Sequence, residues 1–273
     1  MAEFLVTFRE TLEAALIVGI LFTFLLKSNR MDLAPRLWSG VLVAVAASIV
    51  VALLFQQLAG GFSWRWEKIF EGSVMLLAAA VLSTMIVWMA RNKNISRDLE
   101  RRAASVLSTA GRAGLGLFLL AFVAVFREGI ETVLFLYGVI SNQGGLSFAA
   151  SLGGGAAAIA IGYAIFVQGR RLPLKTFFNV SSVLLILFAA GLIAHGIHEF
   201  HEAQILPFGD PIWNVNPALR VDGTYPLLHE NGALGGLAKG LFGWNGNPSL
   251  PEVLAWMIAL SGIGLLWRRA AVV

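Results

Sequence analysis

The sequence predicts an all-α integral membrane bundle of seven transmembrane helices, arranged as a 3+3 inverted repeat plus one. Three observations carry this. Of 273 residues, 58% are hydrophobic and only 13% charged, where soluble domains carry about a quarter. The apolar residues fall into seven continuous runs rather than alternating ones, which excludes barrel strands. A charged five-residue string recurs in the first and the fourth of those runs.

A hydrocarbon core about 30 Å thick takes roughly 20 apolar residues in helix. The runs cover about 4–26, 37–58, 70–90, 113–140, 147–168, 176–196 and a shorter 251–267. The N-terminal MAEFLVTFRE lacks the basic region and small-residue cleavage site of a secretory signal, so it is read as the start of span one. Small residues at helical spacing, Gly40, Ala44 and Ser48 in span two and Ala158 with Gly162 in span five, predict close helix packing.

Basic residues set the orientation. Fourteen of the twenty Lys and Arg fall after spans one, three, five and seven: Lys27, Arg30 and Arg36; the cluster from Arg91 and Lys93 to Arg112; Arg170, Arg171 and Lys175; Arg268 and Arg269. Only Arg65, Lys68, Arg220 and Lys239 face the other side. The N-terminus is therefore outside and the C-terminus in the cytoplasm. The chain is expected to form one permease domain, with repeat one at about 1–92 and repeat two at about 111–202. An outer loop follows at about 197–250, then span seven. Six of the eight prolines cluster between Pro207 and Pro251, and the apolar, glycine-rich Ala233–Trp244 suggests an interfacial or re-entrant helix.

Composition also excludes functions. With no cysteine there is no disulfide scaffold, thiol nucleophile or thiolate metal site. The net charge of +4 is spread over membrane flanks, so nucleic-acid binding is excluded too.

Span one reads Arg9-Glu10-Thr11-Leu12-Glu13, and span four reads Arg127-Glu128-Gly129-Ile130-Glu131. On a helix the three charges of each string lie within about 100° on one face. A charge near the bilayer centre costs roughly 2.5–3.5 kcal/mol, so such residues face the bundle interior, pair, or bind something. Salt bridges from Arg9 to Glu13 and from Arg127 to Glu131 explain one carboxylate per motif and leave Glu10 and Glu128 over. The alternative is a four-carboxylate cation site, with the arginines as supporting ion pairs. Spans one and four run in opposite directions, so the motifs meet as inverted repeats, the place where transporters put their substrate site.

Two further groups lie at the outer ends. Glu67 and Glu71, one turn apart, open span three, either as a cation relay or as an interfacial pair with Lys68 and Arg65. His195, His198, Glu199 and Glu202 share a face at the end of span six, with His201 beside them. They are read as a metal-capturing or pH-sensing vestibule or as a solvated helix end. His229 is isolated and is given no role beyond a place in that vestibule.

At the paired strings the chain resembles the oxidase-dependent iron transporters, which comprise fungal high-affinity iron permeases and bacterial ferrous-iron-uptake permeases. Their pattern is R-E-G-L-E in spans one and four of seven, and this chain departs from it at Thr11 and Ile130. The resemblance runs over essentially the whole chain, including the acidic pair Glu67/Glu71. It implies an iron permease of the cytoplasmic (inner) membrane, not an enzyme, with iron, ferric by expectation, as transported substrate and no permanently bound cofactor. It also implies Glu10, Glu13, Glu128 and Glu131 as the metal site, and periplasmic iron-binding and peroxidase or oxidase partners. The oxygen-only ligands fit a hard ion such as Fe³⁺. The alternatives are a permease for another divalent metal such as Mn or Pb, and a metal-sensing or assembly subunit.

Overall fold

The computed structural model describes residues 2–59, 63–91, 95–108, 112–143, 145–168, 174–206, 210–217 and 225–272. Pro207, Asp222 and the basic residues Lys93, Arg170, Arg171 and Arg220 of the orientation argument lie outside the described residues. Among the described residues there are nine α-helices and no strand. They are α1 (Ala2–Lys27), α2 (Ala34–Ala59), α3 (Trp64–Arg91), α4 (Ile95–Leu107), α5 (Ala113–Gln143), α6 (Phe148–Phe166), α7 (Leu174–Glu202), α8 (Ala233–Phe242) and α9 (Leu250–Val272). Six stretches, within α2, α3, α5, α6, α7 and α9, are long and apolar enough to cross a membrane. With its 26 residues α1 has the length as well, and it carries Glu3 and Lys27 at its ends besides the motif charges. The expected spans are therefore all helical, and most are longer than the apolar runs suggested.

Local chemistry fixes the helix ends. Pro35 sits in the first turn of α2, where its missing N–H costs nothing. Ser147 caps α6 by accepting the Ala150 N–H at 3.3 Å. Ser249 and Glu252 form a capping box at α9: the Ser249 hydroxyl and N–H both reach Glu252 Oε1, at 2.8 and 3.4 Å. This box moves the start of span seven to Leu250, and the helix runs on through Arg268 and Arg269.

Helices pack in parallel pairs along small residues. α1 lies along α6 in parallel: Thr7 meets Gly154, Ala15 meets Gly162 and Gly19 meets Phe166. α5 lies along α2 in the same manner: Gly40 meets Phe118 and Ala121, and Ser48 meets Gly129. These two pairings are images of each other under exchange of the halves, and they are among the most extensive in the molecule, with that of α3 on α7. The small residues singled out in spans two and five lie in these seams, Ala44 and Ala158 being fully buried. α3 and α7 pack antiparallel, with Gly72 against the Gly196 carbonyl. α9 covers both α7 and α3.

One further helix was not expected, and a second, suggested by the glycine-rich stretch, is present. The segment after span three holds α4, an amphipathic helix that places Leu99, Ala103, Val106 and Leu107 against Leu21 and Leu25 of α1 and Leu117 of α5. Its Arg97, Arg101 and Arg102 face outward. The glycine-rich stretch forms α8, which folds back onto α7 and α5. Its last turn closes through Gly243 at φ +69°, a left-handed cap, directly against Gly191 in the middle of α7. A side chain at either glycine would push the two backbones apart.

Candidate functional site

α1 and α5 cross antiparallel. Val18 shares an apolar cluster with Val125, and Leu21 and Leu25 share one with Ala121 and Leu117. Carried two turns further, that register brings the two charged strings together. Arg9 donates to Glu10 Oε1 from Nη1 and pairs with Glu13 Oε1 through Nη2, both at 3.1 Å. Arg127 repeats the pattern with Glu128 at 3.0 Å and Glu131 at 3.1 Å. Each arginine is thus shared by both glutamates of its string. Helical spacing had assigned it to the second alone and left Glu10 and Glu128 unpaired. The guanidinium is long enough to fold back over its neighbour, so that part of the expectation is corrected.

The excess lies in oxygens rather than in residues. One carboxylate oxygen of each of Glu10, Glu128 and Glu131 lies within 4.8 Å of the others. The Oε2 atoms of these three are buried, and no hydrogen-bond donor among the described residues reaches them. Around an ion at about 2.1 Å, oxygens stand about 3.0 Å apart at right angles and about 4.2 Å apart across it, so the trio would close somewhat around an ion. It is the one group of three or more His and acidic donors with such a spacing among the described residues. Glu13 is equally buried and bound to Arg9, but it stands outside the three.

The two arginines differ in setting. The Arg9 side chain is 1% exposed and its Nη2 meets Met89 Sδ at 3.0 Å. Arg127 is 49% exposed and lies over the Trp88 ring at 5.7 Å. Trp88 and Met89, near the end of α3, close one side of the site, and nothing in their apolar surroundings in the sequence singled them out.

The departure at Thr11 has a structural explanation. Thr11 faces Gly155 of α6 at ordinary contact distance, while its counterpart Gly129 is pressed on Ser48 of α2. In one half the hydroxyl sits on the motif helix and the glycine on its partner; in the other half they are exchanged.

The two outer groups turn out to be one. Lys68 Nζ lies 2.9 Å from Glu199, 2.8 Å from Glu202 and 3.6 Å from Glu71. His195 approaches Glu199 at 3.5 Å, and His198 approaches Glu202 at 3.4 Å. His198 also meets Glu252 of α9 at 3.1 Å. Lys68 therefore does not serve Glu71 alone; its ammonium occupies the centre of the group. The histidines face carboxylates rather than a common empty point. Glu67 lies one turn from Glu71 on α3, and His201 lies on the last turn of α7; both are half-buried. Sequence reasoning missed Glu252, although the Ser-Leu-Pro-Glu signature marks it. His229 is remote from this group in function: it is buried, stacked on Tyr225 at 4.2 Å, and its Nδ1 accepts the Asn231 N–H.

Six stretches long and apolar enough to cross a membrane, with buried carboxylates where α1 and α5 cross, are the features of a multi-pass membrane protein. The chain belongs to the iron permease FTR1 family, whose profile matches residues 1–273. It is 34% identical over 260 residues to the ferrous iron permease EfeU of Escherichia coli O6:H1, covering 94% of this chain and 91% of that one. The same identity and coverage hold for EfeU of Shigella sonnei. EfeU of Yersinia pestis is 33% identical over 261 residues, with 94% and 89% covered. No solved structure matches the chain.

Proposed function

We propose that this protein carries iron into the cell across the cytoplasmic membrane, and that the ion passes between Glu10, Glu13, Glu128 and Glu131. The observation that supports this most is the approach of Glu10, Glu128 and Glu131 to within 4.8 Å at the crossing of the two motifs, each with a buried oxygen that no donor among the described residues reaches. Buried acceptors without donors are costly, and a cation satisfies them. Arg9 and Arg127 hold the carboxylates in place and limit their mutual repulsion. At the outer mouth, Glu67, Glu71, Glu199 and Glu202 with His195, His198 and His201 collect the ion, and Lys68 holds their place until it arrives. The N-terminus lies outside, and periplasmic iron-binding and peroxidase or oxidase proteins supply the metal.

Four carboxylates and two guanidiniums leave the central site two negative charges, which a divalent ion balances. That balance, and the name its relatives carry, support Fe²⁺ as the permeating form. The oxygen-only donor set supports Fe³⁺ as the second reading. Uptake into proteoliposomes decides between them: Fe²⁺ held reduced, Fe³⁺ as a soluble chelate, Mn²⁺ and Pb²⁺ are compared at equal activity. Accumulation of Mn²⁺ or Pb²⁺ in preference to either iron would overturn the iron assignment. Metal binding without accumulation would make the protein a sensing or assembly subunit.

A further inference from the structure

Away from the central carboxylates, a cavity of about 600 Å³ lies between α7, α8, α9 and the loop before α9. Leu187 and Ala194 of α7, Ala238 and Phe242 of α8, and Val253 and Met257 of α9 form its sides. Three indoles complete the wall: Trp213, Trp244 and Trp256. Each spends its one donor on a loop or helix carbonyl, at Asn245, Leu228 and Phe242, at 3.2, 3.0 and 2.9 Å. What they offer the cavity is therefore apolar ring surface. The polar residues at its rim are engaged as well. Glu252 is held by His198, Ser249 and Asn245, and His195 by Glu199. A polar ligand would find no group to orient it, whereas an apolar one loses nothing there.

The opening identifies the occupant. Phe242 and Met257 line the cavity and are also 37% and 55% exposed. Met257 stands on the same outer surface of α9 as the exposed Leu254 and Ile258, in a helix that crosses the membrane. The cavity is thus continuous with the lipid-facing surface, and its indoles lie where tryptophans gather at the edge of the hydrocarbon. We infer that it seats one acyl chain of a phospholipid from the leaflet on the side of the α8–α9 loop. The chain fills the space under α8, whose end meets the α7 backbone at the glycine pair 191 and 243. Because His195 lines the cavity with one part of its ring and approaches Glu199 with Nε2, the seated lipid also braces the ion-paired group at the end of α3 and α7.

The test uses the full chain purified in mild detergent, with native mass spectrometry before and after reconstitution into phosphatidylethanolamine–phosphatidylglycerol vesicles. A retained phospholipid mass on the chain is expected. It should be lost in Ala238→Phe and in Ala194→Leu, which fill the cavity from opposite walls. A second measurement needs no filled cavity: quenching of tryptophan fluorescence by phospholipid with dibrominated acyl chains, read as the difference between the chain and Trp256→Phe. Strong quenching of the Trp256 component is expected. Absence of retained lipid together with an unquenched Trp256 overturns the proposal. So does equal retention in filled variants that are folded, a retained mass that is not a phospholipid, or a dimer that the filled variants lose.

Discussion

The same substitution in the two motifs should cost the same transport and unequal stability. Glu13→Gln removes one of the two carboxylates that hold Arg9, whose side chain is 1% exposed. Breaking a buried pair costs about 3–5 kcal/mol, and because Glu10 still holds the guanidinium the lower end, about 3 kcal/mol, applies. Glu131→Gln removes the equivalent partner of Arg127, which is 49% exposed and keeps Glu128 and the Trp88 ring. An ion pair so open is worth at most about 1 kcal/mol. Glutamine has nearly the volume of glutamate and keeps an acceptor oxygen, so neither change should disturb packing. If the carboxylates bind the ion, both variants lose uptake severely. If they only neutralise arginines, the loss of uptake follows the loss of stability. The assay is iron uptake into proteoliposomes, normalised to inserted protein, beside denaturant unfolding of the same preparations. Near-normal uptake by Glu131→Gln with failure of Glu13→Gln would refute the metal-site reasoning for the second glutamate of each motif.

Glu67→Gln and Glu71→Gln should raise the iron concentration for half-maximal uptake more than they lower maximal flux, because negative potential at a mouth concentrates cations; a pure fall in maximal flux would place them in translocation instead. Since the chain has no cysteine, single cysteines at 97 and 101 should resist a membrane-impermeant thiol reagent in intact cells and one at 222 should react; labelling at 97 would invert the topology. Burial raises the Glu230 carboxyl, but Lys239 at 3.0 Å, the Gly246 N–H and the Asn216 amide outweigh it and hold its pKa at about 2. A depressed pKa gives stability that is present above the unfolded value of about 4.3 and lost as pH falls through it toward 2. Glu230→Gln should therefore weaken the fold at neutral pH and flatten its acid unfolding between those values; an unchanged acid limb would contradict the ion pair. Gly129→Thr alone should cost about 1–3 kcal/mol by overpacking Ser48, and Gly129→Thr with Ser48→Gly, which copies the arrangement of the first half, should recover most of it in thermal unfolding; no recovery would mean that the exchange is not what accommodates Thr11.

Much of the fold was legible because lipid leaves few choices. Continuous apolar runs had to be helices, since only helices satisfy their backbone within the run. What the runs concealed was anything made of mixed residues. α4 carries Arg97, Asp98, Glu100, Arg101 and Arg102 in thirteen residues, so its apolar stripe is too narrow to read as a span. The helix ends were less sharply marked for the same reason: α3 begins at Trp64 and α7 ends at Glu202, beyond the apolar runs at 70–90 and 176–196, although the shared face of His195, His198, Glu199 and Glu202 was legible. At the site, residue types and helical spacing were enough to bring the two charged strings together, because their inverted repetition implies a shared axis. Pairing within a string was not, because it depends on side-chain reach. The union of Glu71 with Glu199 and Glu202 joins residues more than a hundred positions apart, and only the antiparallel seam of α3 and α7, closed by Gly72 on Gly196, reveals it.

The repeated string also separates what must be equal in the two halves from what need not be. The charged positions face the crossing of α1 and α5, where an ion midway between the halves, as proposed, would meet donors from both. Sequence identity there follows from the inverted geometry, since each half presents the same face to a common centre. The third position faces away, to α6 in one half and to α2 in the other. What it needs is complementarity with that neighbour: Thr11 with Gly155, Gly129 with Ser48. Steric fit is satisfied by the sum of two facing residues, so a glycine can change sides without altering the distance between helices. The arginines show a third case. They occupy equivalent positions, yet Arg9 is sealed and Arg127 is not: Arg9 meets Met89 and lines a small cavity with Leu184, Phe188 and Leu241, whereas Arg127 lies half-exposed over the Trp88 ring. α8 belongs to neither repeat. It is an addition after the second one, packed on α7 and α5, and its Leu241 lines the small cavity that Arg9 also lines.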